Sequence, residues 1–135
     1  MTENISSGDY GVLVVQVSAA GRAQPLSGVT VTVSEPTADG EELIKIMKTD
    51  ANGMTEPLQL PAPPSENSES PGGKNLYCVY NIRTDFPGYY TIENVNVPVF
   101  ANRTAIQPIA MIPLPESVEN GKKIIYIEQE PTDLE

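Results

Sequence analysis

The feature that most constrains this chain is the way turn-forming residues divide it into short stretches of alternating apolar and polar residues. The 135 residues include 13 Pro and 10 Gly, which either fix φ or permit positive φ and therefore mark turns and strand edges. Between these markers, Val29, Val31 and Val33 alternate with Thr30 and Thr32, as in a strand with one buried face. The pattern leaves little room for long helices and predicts an all-β fold.

The same period of two recurs along the chain at a spacing of roughly ten residues, which is typical of sandwiches. Pro108 indicates an edge position for its strand, because proline cannot donate a hydrogen bond to a ladder. We predict a seven- or eight-stranded antiparallel β-sandwich, with a closed barrel as the structural alternative. The expected strands are 11–18, 29–35, 43–49, 54–60, 76–84, 90–99 and 102–113, and 122–129 if an eighth forms.

Two segments between the strands carry local predictions. Asn52 and Gly53, in the sequence DANG, favour positive φ in a tight hairpin. Met54–Leu60 is therefore expected to return antiparallel beside Leu43–Thr49. The stretch 61–74, PAPPSENSESPGGK, has almost no apolar residues and is expected to be a surface loop.

Composition divides the chain into one folded unit and two polar ends. Residues 1–9 show no periodic pattern and are expected to be a loose leader. Residues 10–115 are expected to form the sandwich domain, and residues 116–135 an acidic C-terminal extension that would hold the short extra strand. No stretch has the apolar run of a secretory signal or a membrane span. We expect no membrane insertion and no export signal, and a location in the cytoplasm or at the spore or cell wall through a partner.

The net charge limits the class of partner. Lys and Arg number 8 against 18 Asp and Glu, which gives a net charge of −10. Such a chain repels polyphosphate and anionic lipid, so we expect no nucleic-acid partner. Acidity also keeps a small domain soluble, and it is therefore not a binding signal by itself. The sequence leaves the oligomeric state open.

The absence of histidine is the most decisive chemical feature. Histidine is the usual general base near neutral pH and the commonest metal ligand. The single cysteine, Cys78, cannot form an internal disulfide or a zinc site, and we expect it to be a small buried hydrophobe. No glycine-rich phosphate-binding motif is present. We therefore expect no catalytic residues, no metal and no cofactor.

Carboxylates offer the remaining route to chemistry. Asp39 or the pair Glu41 and Glu42 could be proposed as acid and base, yet neighbours in a turn normally point into solvent. Asp39 and Glu41 could also surround a calcium ion together with Asp50 and Asn52, but the spacing lacks the regularity of a calcium loop. Ordinary turns are the favoured interpretation.

Aromatic residues are the candidates for ligand binding. Tyr77, Phe86 and Tyr89 lie close in sequence around one strand and its turn, where they could offer a flat, amphipathic surface to a sugar or peptide. The favoured interpretation is that Tyr80 and Tyr90 are core or sheet-corner residues and that Phe86 holds the turn together, so that no ligand platform exists.

The order of several segments resembles a known family. GVLVVQVS, PLSGVTVTVSE, TDANG and YNIRTDFPGYY follow one another as in the carboxypeptidase-regulatory-like, transthyretin-type domain, and the resemblance covers about residues 10–113. Tyr80–Pro115 further resembles the equivalent domain found beside spore-cortex-lytic and peptidoglycan-binding modules of spore-forming bacteria. The resemblance implies a sandwich of prealbumin topology that serves as an accessory domain, and it implies no activity. Hydroxyisourate hydrolases also resemble transthyretin, but the histidines and the C-terminal Tyr-Arg-Gly-Ser motif on which they rely are missing here.

Three functional hypotheses follow. The first, which we favour, is a noncatalytic docking module near bacterial cell-wall or spore-cortex machinery that binds a protein through strand edges and loops. The second is a carbohydrate-binding module that holds peptidoglycan with the tyrosines around Phe86 and Tyr89. The third is a cryptic hydrolase, which would need carboxylates held close together in a cleft.

Overall fold

The computed structural model describes residues 9–19, 24–62, 77–115 and 124–128, and all of the structure reported below lies within these ranges. The described residues form nine strands and no helix. The strands are β1 (Asp9–Ala19), β2 (Gln24–Pro25), β3 (Thr30–Thr37), β4 (Gly40–Lys48), β5 (Leu58–Ala62), β6 (Cys78–Asp85), β7 (Thr91–Val99), β8 (Thr104–Ala110) and β9 (Ile124–Glu128).

The strands form two sheets. One sheet has five strands in the order β9-β7-β6-β3-β4. The other is built on β1, which pairs antiparallel with β5 over its first residues and with β2 at its end. Because β8 pairs along most of β1, it must lie on the opposite side of β1 from β2 and β5. The predicted two-sheet sandwich is confirmed.

The sandwich is not purely antiparallel, and this corrects the prediction. β8 runs parallel to β1, and β9 runs parallel to β7. β8 can be parallel to β1 because the chain changes sheets between β7 and β8, so that no hairpin joins β8 to β1. Residues 124–128, which we assigned to a C-terminal extension, thus form an edge strand of the five-stranded sheet.

An aliphatic core fills the space between the sheets, and the predicted alternation places its residues. Leu13, Val15 and Val17 of β1 are fully buried. They share the core with buried residues of the five-stranded sheet (Val31, Val33, Tyr80, Ile82, Ile92, Val97 and Val99). Leu60 of β5, Ile109 of β8 and Met111, which follows β8, complete this set. Tyr80 also ties the sheets together, since its hydroxyl donates a hydrogen bond of 2.7 Å to the carbonyl of Pro61 in β5.

The DANG turn does not close the expected hairpin. Asp50 Oδ1 accepts hydrogen bonds from the backbone N–H groups of Asn52, at 2.9 Å, and Met54, at 3.0 Å, and Gly53 has the expected positive φ of 77°. The chain that follows joins the other sheet, because Met54 bridges to Gln16 and β5 pairs with β1. Turn chemistry predicted the turn correctly but could not predict which sheet receives the next strand.

Two buried threonines hold the chain on either side of this crossing. Thr49 Oγ1 accepts from the N–H of Val29 at 3.0 Å and donates to the carbonyl of Leu26 at 2.6 Å. Thr55 Oγ1 accepts from the N–H of Val15 at 3.0 Å. Each threonine therefore satisfies backbone groups that would otherwise be buried without a partner.

Strand boundaries differ from the sequence-based prediction by one or more residues, and three differences change the organisation. Asp9 and Pro61 belong to strands, so β1 begins inside the predicted leader and β5 extends into the predicted loop. The connection between the first two predicted strands contains the short strand β2. The remainder of the predicted loop, residues 63–74, lies outside the described residues, and the division into leader, domain and extension stays a prediction.

Gly53 provides a test of how closely the crossing is packed. A Cβ atom at Gly53 would meet the carbonyl oxygen of Val17, whereas Gly88 has a similar φ of 87° and no atom within 4 Å of an added Cβ. Gly88→Ala should therefore cost only the left-handed conformation, about 1–2 kcal/mol. Gly53→Ala should lower the free energy of unfolding, measured in urea, by about 1–3 kcal/mol more. Equal losses would contradict a packed crossing.

Candidate functional site

The most exposed of the longer strands is β4, at one edge of the five-stranded sheet. It pairs with β3 on one side and with no described strand on the other. Of its nine residues, only Met47 is buried. Leu43 and Ile46 are 57% and 56% exposed, and Ile44 is exposed as well. Three of the eight exposed large apolar residues among the described ranges thus lie on this one strand.

A β-bulge determines which way the β4 side chains face. Val33 pairs with Lys45 and Ser34 pairs with Leu43, so Ile44 has no opposite residue in β3. A bulge of this kind shifts the alternation of faces by one residue. As a result Glu41, Leu43, Ile46 and Lys48, which are opposite Pro36, Ser34, Thr32 and Thr30, all lie on the face of the sheet that points away from the core. We refer to this side of the five-stranded sheet as the outer face.

The outer face carries a shallow groove of about 190 Å³ beside β4. Its charged residues are held by hydrogen bonds to neighbouring side chains. Arg83 donates from Nη1 to Glu93 Oε2 at 2.9 Å and from Nε to Asp85 Oδ2 at 3.3 Å, and Asn81 Nδ2 donates to Glu41 Oε2 at 2.5 Å. Residues from four strands line the groove (Thr32, Ser34, Glu41, Leu43, Asn81, Ile82, Arg83 and Glu93).

The charge of Arg83 is held in place by its neighbours. Burial of the guanidinium lowers its pKa, but the carboxylates of Asp85 and Glu93 outweigh that effect and raise the pKa above its ordinary value. The groove therefore offers a fixed cation between two carboxylates. The two ion pairs hold these three charged side chains together on the outer face.

The three predicted ligand-binding aromatics do not form one site. Phe86 and Tyr89 come together across their turn, with ring centroids 5.7 Å apart, and both pack against the core. Tyr77 lies at the other end of β6, where its ring contacts Phe100 at 5.5 Å. Nine residues of extended chain span roughly 30 Å. Phe86 and Tyr89 can therefore share a ligand that Tyr77 cannot reach.

The carboxylates considered in the sequence have separate roles. Asp50 caps the DANG turn, and Glu41 accepts from Asn81 on the outer face. Within the described ranges, no group of three or more Asp, Glu, Cys or His side chains is close enough to hold a metal ion. The described residues likewise include no helix that is long and apolar enough to cross a membrane.

Cys78 is half-buried at the start of β6. Burial raises the pKa of its thiol, and the negative charge of Glu35 raises it further. Because the thiolate is the nucleophilic form, a raised pKa makes Cys78 less reactive near neutral pH than an exposed cysteine.

This effect can be measured by alkylation. The rate of iodoacetamide reaction at Cys78 should rise with a midpoint above about 8.5, the usual value for a free thiol. Glu35→Gln should move that midpoint to lower pH, because one of the two causes of the shift is removed, and the urea-unfolded chain provides the reference. A midpoint in the folded protein at or below that of the unfolded chain would disprove the assignment.

The fold is similar to those of several solved structures. A minor pilin of Streptococcus agalactiae superposes with a TM-score of 0.54 at 14% identity, covering 84% of this chain and 49% of the pilin. The Bacillus anthracis TIE protein gives 0.51 at 15% identity over 78% of this chain and 17% of that protein. The 3-chlorocatechol 1,2-dioxygenase of Rhodococcus opacus gives 0.52 at 14% identity over 80% and 61%. This chain therefore spans less than two thirds of each of these proteins, and at such identities the likeness concerns the fold alone.

Transthyretin, to which the sequence bears a resemblance, is also among the matching structures. The Sparus aurata protein is 27% identical over 54% of either chain, with a TM-score of 0.36. That overlap extends over only half of each chain, so the strand order rests on the pairing described above. No protein-family model and no curated protein matches the sequence.

Proposed function

We propose that this chain is a noncatalytic docking module that binds a protein partner by adding a strand to the β4 edge, in association with bacterial cell-wall or spore-cortex machinery. The observation that carries the proposal is a nine-residue edge strand with three exposed apolar side chains. An edge strand presents a row of unpaired N–H and C=O groups to which another extended chain can bind.

The contrast with the other edges supports β4 as the docking edge. The described edge strands of the second sheet, β2, β5 and β8, each contain a proline, namely Pro25, Pro61 and Pro108. Proline removes a backbone donor and so discourages pairing by another chain. β4 has no proline and is the longest described edge strand without one, since β9 has five residues. Among the described strands, β4 is therefore the longest sheet edge that no proline protects.

The chemistry of the groove supports a binding role over a catalytic one. The sequence holds no histidine, Arg83 is bound to Asp85 and Glu93, and burial suppresses the thiolate of Cys78. The fold itself does not decide the matter, because a pilin and a dioxygenase share it. The cell-wall or spore-cortex setting rests on the sequence resemblance of Tyr80–Pro115.

Substitution of the exposed β4 residues tests the docking edge. Leu43→Lys combined with Ile46→Lys should abolish capture of partner proteins from a cell-envelope extract, because it removes the apolar contacts and adds two charges to the edge. Both positions face solvent and lie outside the core, so the unfolding temperature should change little. Ile106→Lys, at a position 56% exposed on β8, is the matched control and should retain capture. Equal retention by all three proteins would show that β4 is not the docking edge.

The turn formed by Phe86 and Tyr89 supports a second candidate, the binding of a cell-wall glycan. The two rings are adjacent and only half-buried, and a sugar could stack on their exposed edge. In this case the protein should sediment with insoluble peptidoglycan, and Tyr89→Ala should reduce the bound fraction several-fold while Tyr77→Ala, at the distant ring pair, leaves it unchanged. No sedimentation of the wild-type protein would eliminate this candidate.

A further inference from the structure

The residues that β4 places on the outer face would match those of a second copy of β4 running in the opposite direction. These residues, in chain order, are Glu41, Leu43, Ile46 and Lys48. When the order is reversed, a lysine comes opposite Glu41 and a large aliphatic residue comes opposite Leu43. Two copies of this strand placed antiparallel would thus match opposite charges at the ends and apolar side chains in the middle.

The bulge makes this match geometrically possible. In a continuous antiparallel sheet, two residues opposite each other must lie on the same face. In an unbulged strand Leu43 and Ile46 would point to opposite faces, because they are three residues apart. The extra residue, Ile44, brings both to the outer face. The pairs Glu41 with Lys48 of a second copy and Leu43 with Ile46 of a second copy then occur in one and the same register.

From this arrangement we infer that the partner of the β4 edge is a second copy of this chain, paired antiparallel about a twofold axis between Ile44 and Lys45, so that two five-stranded sheets become one continuous sheet. The inference rests on the proposed function, in which β4 accepts a strand, and it names the occupant. The twofold axis repeats each contact, which gives two pairs of opposite charge and two aliphatic pairs on the outer face.

The inner side of the same register also favours a second copy. Glu42 is opposite Glu35 in β3, and like charges in this arrangement are unfavourable. In the dimer, Glu42 comes opposite Met47 of the second copy, with Lys45 of that copy diagonal to it and within reach of a long side chain. The dimer therefore places Lys45 of the second copy near Glu42 and Glu35. A neutral or acidic foreign strand would supply no such positive charge.

The oligomeric state of the full chain provides the first test. Sedimentation velocity at protein concentrations from roughly 10 µM to 1 mM should show a monomer that converts to a dimer. The Leu43→Lys, Ile46→Lys double variant should remain monomeric over this range, and Ile106→Lys should dimerise like the wild type. A wild-type protein that remains monomeric at every concentration would overturn the inference.

A charge reversal tests the register. Glu41→Lys would place a lysine opposite Lys48 of the second copy, and Lys48→Glu would place a glutamate opposite Glu41 of the second copy. Like charges would then face each other at both ends of the interface, so each single variant should weaken the dimer roughly tenfold. The double variant Glu41→Lys, Lys48→Glu restores opposite charges and should recover most of the lost affinity. Glu41→Gln is the control for the hydrogen bond from Asn81, because it keeps an acceptor there, and it should weaken the dimer less than Glu41→Lys. A dimer that ignores all of these changes would show that another surface is paired.

The two proposals fail in different ways. If the wild type is monomeric while capture from the cell-envelope extract is still lost on the Leu43→Lys, Ile46→Lys substitution, the edge binds a foreign strand: the docking function stands and the self-pairing is wrong. If the wild type is monomeric and capture is also indifferent to β4, both are wrong.

Discussion

The structure depends on the burial of two alternating faces of aliphatic residues against each other. β1 presents Leu13, Val15 and Val17, and β3 presents Val31 and Val33, all of them fully buried. Each such side chain contributes on the order of 1.5–3 kcal/mol when it leaves water. With no disulfide available to a chain that has one cysteine, this contact is what keeps the two sheets together and fixes which face of every strand is left outside.

Because one face of each strand packs in the core, the sheet edges are where another chain can still pair with the backbone. In the described second sheet the edges contain Pro25, Pro61 and Pro108, which limit pairing with other chains. β4 lacks this protection and instead carries Leu43 and Ile46 outward. Lys45, opposite the buried Val33, places a charge on the inner side of the edge and would resist an arbitrary apolar strand. The edge is therefore selective for a strand that brings a negative charge near Lys45. A second copy of β4 does so, because its Glu42 lies diagonal to Lys45 in the proposed dimer.

The fold leaves function to particular surfaces. A pilin and several dioxygenases adopt related sandwiches at 13–14% identity, so the architecture occurs in proteins of different function. In this chain the outer groove has its charges paired internally, and the aromatic turn packs on the core. What distinguishes the molecule is the proline-free β4 edge with its exposed apolar side chains.

The sequence by itself determined the fold class, the core faces and the local turns. Alternation placed Val29, Val31 and Val33 inside, and DANG formed its capped turn, because periodicity and turn preferences act within a few residues. The sequence did not determine that β5 leaves the hairpin to join β1, because this depends on which sheet each strand joins. The bulge at Ile44 is of the same kind: LIKIM gives no period that assigns a face, and only the pairing of β3 with β4 sets Leu43 and Ile46 on the same side. Local preferences thus fixed the strands, while long-range packing decided their neighbours and, with them, the surface available for binding.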